Sequence, residues 1–233
     1  MTPELSIVVL AFDEEDNIGP VLGELFDWLD QSGIEAEVVV VDDGSRDGTA
    51  RRAADALRGR AGRVVSHGRN LGMGAGLKSG TRAALGTWVT FLPADGQVPP
   101  EAVGTLMSVR GEADVVLSVY EDRDDGPLRT LLSGGVRALI TALHGVRLRS
   151  EGPYLFRRTL FVEEDLPPDT FFLNFEFPLR VLGAGLRTRT VVVPCRARLS
   201  GHSKTANARR AWGVARDLVD LRRRRLRDRL RFF

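Results

Sequence analysis

Val38-Val39-Val40-Val41-Asp42-Asp43-Gly44-Ser45 decides how this chain folds. Four consecutive β-branched residues with no polar alternation fit a strand buried on both faces, and such strands belong to parallel sheets covered by helices. The run ends on two carboxylates and a turn glycine, and ligands of open α/β sheets bind beyond the carboxyl ends of their strands. Carboxylates at that place accept hydrogen bonds from a nucleobase or a ribose, or simply cap the turn that follows.

Short β-branched runs at 6–12, 63–66 and 88–92 accompany the run at 37–43, with helical patterns between them. That alternation marks βαβ units around a mostly parallel sheet. Ile18, Val21, Leu22, Leu25, Phe26 and Leu29 recur at three- and four-residue spacing and predict one amphipathic helix, with Asp16 or Asn17 at its cap. A second helix is expected after Asp47-Gly48-Thr49, with Ala50, Ala53, Ala54 and Leu57 inward, and a third after the glycine cluster at 72–76. Farther on come a strand at 114–120, an acidic turn at 121–126, an apolar-periodic segment at 128–143 and a late strand at 186–195. From 206 onward the pattern is helical, with Trp212, Ala215, Val219, Leu226, Leu230 and Phe233 near one stripe. The expected fold class is α/β, a mostly parallel central sheet flanked by helices, as one catalytic domain over 1–205 and a helical tail over 206–233.

With 233 residues, 43% hydrophobic and 27% charged, the composition is that of an ordinary folded chain and excludes both disorder and a multi-span membrane protein. The apolar stretch at 136–146 is broken by Arg137 and His144, so any membrane contact is expected to be peripheral. The single cysteine, Cys195, has no internal partner, and residues before Ser6 lack the basic and apolar parts of an export signal. A reducing, cytoplasmic setting is expected. Residues 209–233 hold ten arginines against three aspartates, a local +7 that leaves −5 of the overall +2 to residues 1–208. A basic tail on an acidic body fits an anionic surface, with the tail either lying on a membrane or packing its stripe on the domain. Nucleic acid is not an expected partner, because the tail lacks interleaved aromatics.

Two further motifs bear chemistry. Leu92-Pro93-Ala94-Asp95-Gly96-Gln97 ends an apolar strand with a carboxylate and a carboxamide two residues apart. These oxygens suit Mg²⁺ or Mn²⁺ bridging a diphosphate, although an Asp-Gly pair after a strand is often only a turn. Arg69-Asn70-Leu71-Gly72-Met73-Gly74-Ala75-Gly76-Leu77-Lys78 is a glycine-rich entry to a helix that can cradle phosphate or pack on a nucleoside. It matches neither a P-loop nor a dinucleotide fingerprint.

In order, Val8-Val9-Leu10-Ala11-Phe12-Asp13-Glu14-Glu15-Asp16-Asn17-Ile18, Val41-Asp42-Asp43-Gly44-Ser45-Arg46-Asp47-Gly48-Thr49, the Arg69 loop and Asp95 resemble a family-2 glycosyltransferase of the dolichyl-phosphate mannosyltransferase type, over residues 4–205. Arg196-Ala197-Arg198-Leu199-Ser200-Gly201-His202-Ser203-Lys204, and Pro127-Leu128-Arg129 with Ser133, resemble segments of its polyprenyl-phosphate branch. The resemblance implies a GT-A fold and inverting transfer from a GDP- or UDP-linked sugar to a polyprenyl phosphate, at the inner membrane face. It places Ala11, Phe12, Glu14, Asp42, Asp43, Gly72, Lys78, Ala94 and Asp95 along the donor, with Asp95 and Gln97 on the metal. Arg129, Ser133, Arg198, His202, Ser203 and Lys204 would meet the acceptor phosphate, and Asp95, Arg129, Arg198 and Lys204 would be the catalytic residues.

Three positions depart from the family pattern. Pro93 stands where its metal motif begins with aspartate, Tyr120 stands where an arginine is usual with Arg123 nearby, and Tyr154 replaces the arginine of a serine-glycine-phenylalanine-arginine segment. For a hydroxyl acceptor, Glu151 and Glu176 are the candidate bases. A sugar-nucleotide sensor without turnover is the alternative of another class.

Overall fold

The valine run forms the middle of strand β2 (Ala36–Asp42), and the structure builds outward from it. In this computed structural model the described residues are 2–121, 126–145, 148–163, 166, 172–200 and 216–223, without the side chains of 126–133 and 137. In chain order the elements are β1 (Leu5–Ala11), α1 (Glu15–Ser32), β2, α2 (Thr49–Ala56), β3 (Gly62–Ser66), α3 (Met73–Ala83) and β4 (Trp88–Pro93). They continue with α4 (Glu101–Ser108), β5 (Val115–Tyr120), α5 (Gly126–His144), β6 (Leu155–Arg157), a 3₁₀ turn (Arg158–Leu160), α6 (Leu173–Gly183) and β7 (Thr188–Val193).

The described strands form one sheet in the order β3-β2-β1-β4-β6-β5-β7. Only β6 runs antiparallel, between β4 and β5. Alternation along the strands divides the core in two. Ile7, Val9, Val38 and Val40 face a layer with Ile18, Leu22 and Leu25 of α1, Ala53 of α2 and Leu106 of α4. Val8, Val39 and Val41 face the opposite layer with Leu77 of α3, Ile140 of α5 and Phe177 of α6. Both faces are therefore covered, as the uninterrupted valine run requires, and each fully buried Val or Leu adds roughly 1.5–3 kcal/mol of transfer free energy.

The expected strands agree with the observed ones to within a residue or two. The helix starts do not all agree. Helix α3 begins at Met73 and contains Gly74, Gly76 and Gly80. A Cβ on Gly80 would lie 2.3 Å from Val8 Cγ1, so the missing side chain lets this helix lie directly on the sheet. The cap position of α1 is Glu14, with no side-chain cap, and Asp16 and Asn17 fall inside the first turn. In α2 Ala53 is buried, as is Leu57 just after the helix, but Ala54 is exposed.

The expected tail stripe is also out of phase. In the helical stretch at 216–223, Leu218 and Leu221 are fully buried in the layer with Ile140, Tyr154 and Phe177, while Val219 is only half-buried. Trp212, Ala215, Leu226, Leu230 and Phe233 lie outside the described residues. Packing of 216–223 makes it part of the core, so Leu221→Ala should cost about 2–5 kcal/mol in urea denaturation. A cost below about 1 kcal/mol would mean that the segment merely rests on the surface.

Candidate functional site

Strands β1, β2 and β4 run side by side in parallel, with Ala11 opposite Asp42 and Leu10 opposite Pro93, so their carboxyl ends open at one edge. The loop after β1 is tied to the loop after β2. Asp13 N donates to Ser45 Oγ at 2.9 Å, Arg46 N to Asp13 Oδ1 at 2.9 Å, and Glu14 N to Thr49 Oγ1 at 2.9 Å. Gly48 N donates to Glu15 Oε2 at 3.0 Å, and this amide is the main reason the Glu15 carboxyl sits below its ordinary pKa. Asp13 has φ +50°, a left-handed conformation that aspartate tolerates better than most residues.

The paired aspartates at the end of β2 differ in what they hold. Asp43 Oδ1 accepts from Leu71 N at 2.8 Å and Asp43 Oδ2 from Gly72 N at 2.9 Å. His67 Nδ1 lies 2.8 Å from the same Oδ1, and His67 Nε2 lies 2.9 Å from Ser79 Oγ. Asp43 thus anchors the glycine-rich loop. Asp42 Oδ1 accepts only the Ser45 amide at 3.2 Å, and its Oδ2 has no partner among the described residues.

After β4, Ala94 N is bound to Leu10 O at 3.0 Å, and the chain turns through Gly96 at φ +73° while Asp95 Oδ1 accepts from Gln97 N at 3.0 Å. The segment after β7 returns over this turn. Arg196 N donates to Gln97 O at 2.9 Å and Leu199 N to Asp95 O at 3.2 Å. Arg196 Nε donates to Gly96 O at 2.7 Å while its guanidinium pairs with Glu24, which clamps the turn from outside. Arg198 reaches inward, with Nη2 2.8 Å from Asp95 Oδ2 and Nη1 3.0 Å from Glu14 Oε1. Asn17 Nδ2 donates to Glu14 Oε2 at 2.6 Å and to Ser200 O at 3.2 Å.

The structure therefore brings together Ala11, Glu14, Asp42, Asp43, Gly72, Ala94, Asp95, Gln97 and Arg198 around the carboxyl edge. Phe12 is half-buried in the first loop, and Lys78 is buried on α3. Arg129 and Ser133 lie on α5 with side chains outside the described set, and His202, Ser203, Lys204 and Arg123 are outside it altogether. Tyr154 does not face the edge. It is fully buried against Phe91 at 4.8 Å and Phe177 at 5.5 Å between ring centroids, and burial pushes the pKa of its hydroxyl up. Tyr120 is half-buried beside Gly152. Glu151 is exposed, and Glu176 is fully buried with Oε1 accepting from Arg180 at 2.9 and 3.0 Å. Sequence reading passed over Arg196, His67 and Asn17 as site residues. Arg196 stands two residues from Arg198, and His67 two residues before the Arg69 loop, but neither spacing discloses a partner.

Among the described residues no three His, Cys, Asp or Glu side chains converge as a metal cage. Asp95 and Gln97 still fit a hard, oxygen-seeking divalent ion, because such an ion takes one or two carboxylates from the protein and its other ligands from phosphates and water. The guanidinium already lodged against Asp95 and Glu14 demonstrates that the spot accepts positive charge.

Residues 6–175 match the profile described as Glycosyl transferase family 2, and the chain belongs to that family. It is 30% identical over 151 residues to the undecaprenyl-phosphate 4-deoxy-4-formamido-L-arabinose transferase of Edwardsiella ictaluri, which covers 64% of this chain and 46% of that protein. It is 32% identical over 154 residues to the dodecaprenyl-phosphate galacturonate synthase of Rhizobium johnstonii, again 64% of this chain and 46% of the relative. The chain spans about half the length of these curated relatives. Among solved structures, glucosyl-3-phosphoglycerate synthase of Mycobacterium tuberculosis in complex with Mn²⁺, uridine diphosphate and glucosyl-3-phosphoglycerate superposes with a TM-score of 0.70 at 22% identity, over 93% of this chain and 77% of that one. The fold is the GT-A fold that the sequence resemblance implies.

The unequal bonding of the two aspartates has a measurable consequence. Asp43→Ala leaves two amides and an imidazole without their acceptor and should cost about 2–3 kcal/mol or more in urea denaturation, whereas Asp42→Ala should cost about 1 kcal/mol. Equal costs would refute the division of labour between them.

Proposed function

We propose that this member of glycosyl transferase family 2 transfers a sugar from a GDP- or UDP-linked donor to a polyprenyl phosphate, with inversion and with Mg²⁺ or Mn²⁺. The observation that carries the reading is Arg198. It belongs to the segment resembling the acceptor-phosphate side of the polyprenyl branch, yet it pairs with Asp95 on the donor turn, so two phosphate-bearing substrates would meet at one place. The curated relatives act on undecaprenyl and dodecaprenyl phosphates by name, which supports the same acceptor class here.

In this reading Asp42, whose Oδ2 has no partner among the described residues, accepts from base or ribose, and Phe12 and Glu14 line the nucleoside. Asp43 holds Leu71 and Gly72 in place so that the backbone of the glycine loop can approach the donor, while Ala11 and Ala94 floor the site and Lys78 adds charge behind it. Asp95 and Gln97 would hold the divalent ion, which supplies charge neutralisation for the departing diphosphate. Arg198, with Arg129, Ser133, His202, Ser203 and Lys204, neutralises the acceptor phosphate. That phosphate is already an anionic nucleophile, so no protein base is needed. Glu176, one of the two carboxylates considered for a hydroxyl acceptor, is bonded to Arg180 inside the core, which favours the phosphate acceptor.

No helix among the described residues is long and apolar enough to cross a membrane. Arg216, Arg222 and Arg223 are exposed while Leu218 and Leu221 point into the core, so the tail would offer arginines, rather than its apolar stripe, to an anionic membrane at the inner face. Each arginine near such a surface contributes roughly 1 kcal/mol and is screened by salt. Replacing these three arginines with glutamine should therefore weaken sedimentation with anionic vesicles at low salt by at least about tenfold. Unchanged sedimentation would remove this stretch from membrane contact.

The activity is tested by presenting UDP- and GDP-sugars with undecaprenyl phosphate, and separately with soluble hydroxyl acceptors, in Mn²⁺. Transfer to the lipid phosphate is expected, with Asp95→Ala losing about a hundredfold or more in rate. Arg198→Ala should impair transfer while nucleotide binding persists, and Asp42→Ala should weaken nucleotide binding about tenfold in calorimetry. Turnover only on hydroxyl acceptors would overturn the acceptor, and nucleotide binding without metal dependence or turnover would identify a sensor.

A further inference from the structure

Glu14 and Asp95 come from loops 81 residues apart, and each presents one carboxylate oxygen to the same guanidinium, at 3.0 and 2.8 Å. The two acidic side chains are only 10% exposed and the arginine 15%, so water does little to screen them. Two neighbouring carboxylates in such a place require a cation between them, since buried like charges are costly when left unpaired. Arg198 supplies one positive charge against two negative ones and leaves a net −1, whereas a divalent ion in its place would balance both carboxylates. A second unsatisfied group adjoins this pair. The Asn17 amide that donates to Glu14 leaves its own Oδ1 buried with no donor, and a water carried on a cation would supply one.

We propose that the divalent cation and the Arg198 guanidinium share one position between Glu14 and Asp95, with Glu14 as a direct ligand of the metal. This rests on the reading given above and moves Glu14 within it from the nucleoside to the metal. Glu14 then provides, from the loop after the neighbouring strand, the carboxylate that Pro93 cannot provide on the turn after β4. With Glu14 and Asp95 engaged by the ion, the Arg198 guanidinium would be released to the acceptor phosphate only after the donor is in place.

The sign of one measurement separates this arrangement from ordinary support of a metal site. Mn²⁺ alone, and Mn²⁺ with UDP or GDP, is titrated into the full chain by electron paramagnetic resonance and calorimetry, with thermal melts to verify folding. Removing a competing cation should tighten metal binding, so Arg198→Gln is expected to bind Mn²⁺ about tenfold more tightly than the unmodified chain, and Glu14→Gln about tenfold more weakly. Arg198→Lys, which keeps the charge, should restore affinity toward that of the unmodified chain. Unchanged or weaker Mn²⁺ binding in Arg198→Gln, or unchanged binding in Glu14→Gln, would overturn the shared position while leaving the transferase reading intact. Should Arg198→Gln fail to fold, Glu14→Gln decides alone. Absence of Mn²⁺ binding in every form, with or without nucleotide, would overturn both this position and the metal dependence on which it rests.

Discussion

Strand β1 is hydrogen-bonded on both sides to parallel partners, β2 and β4, and that register sets the level of the loops that follow all three strands. Asp42 ends opposite Ala11, and Pro93 opposite Leu10, so three loops leave the sheet at one level. A slip of one residue would turn each strand over and send the valines of β2 to the wrong layers. Burial on both faces makes that slip prohibitively expensive. The precision of the carboxyl edge is thus inherited from apolar packing far from any chemistry.

Onto this rigid edge the chain lays groups whose charges would otherwise be uncomfortable. Glu14, Asp43 and Asp95 are all at least nine-tenths buried, and each is satisfied by a partner from a distant segment. Asp43 is bonded by two amides of the glycine loop and by His67, so its carboxylate serves folding. Asp95 and Glu14 are held by a side chain on an irregular segment after β7, which can leave without unpacking a strand. The difference matters because a buried charge bonded by backbone is fixed, whereas one bonded by a side chain can exchange partners.

Much of this was legible in the sequence. The valines of β2, the apolar spacing of α1 and the order of the four loops led to the sheet, its edge and the residues around it. Other features arise from pairings that spacing does not encode. Strand β6 has three residues and pairs antiparallel through two positions on each side, and its Phe156, with Tyr154 just before it, joins an aromatic cluster with Phe91 of β4 and Phe177 of α6. Glycines argue against helix by propensity, yet α3 begins among them because Gly80 must touch Val8. The anchoring role of Asp43 depends on amides 28 and 29 residues later, and the Arg198 bridge on a residue 184 positions earlier. The phase of the tail helix was missed because Leu218 and Leu221 answer to a layer formed by α5 and α6, not to the arginines around them.

The central claim is that the donor and its metal bind at the edge formed by β1, β2 and β4, around Asp95. Crystals soaked with Mn²⁺ and a nucleoside diphosphate, measured at the manganese absorption edge, test it most directly. The account predicts one anomalous peak about 2 Å from an Asp95 carboxylate oxygen, with the diphosphate beside it. Nucleotide bound with its manganese peak away from Asp95, or bound elsewhere on the sheet, would contradict it.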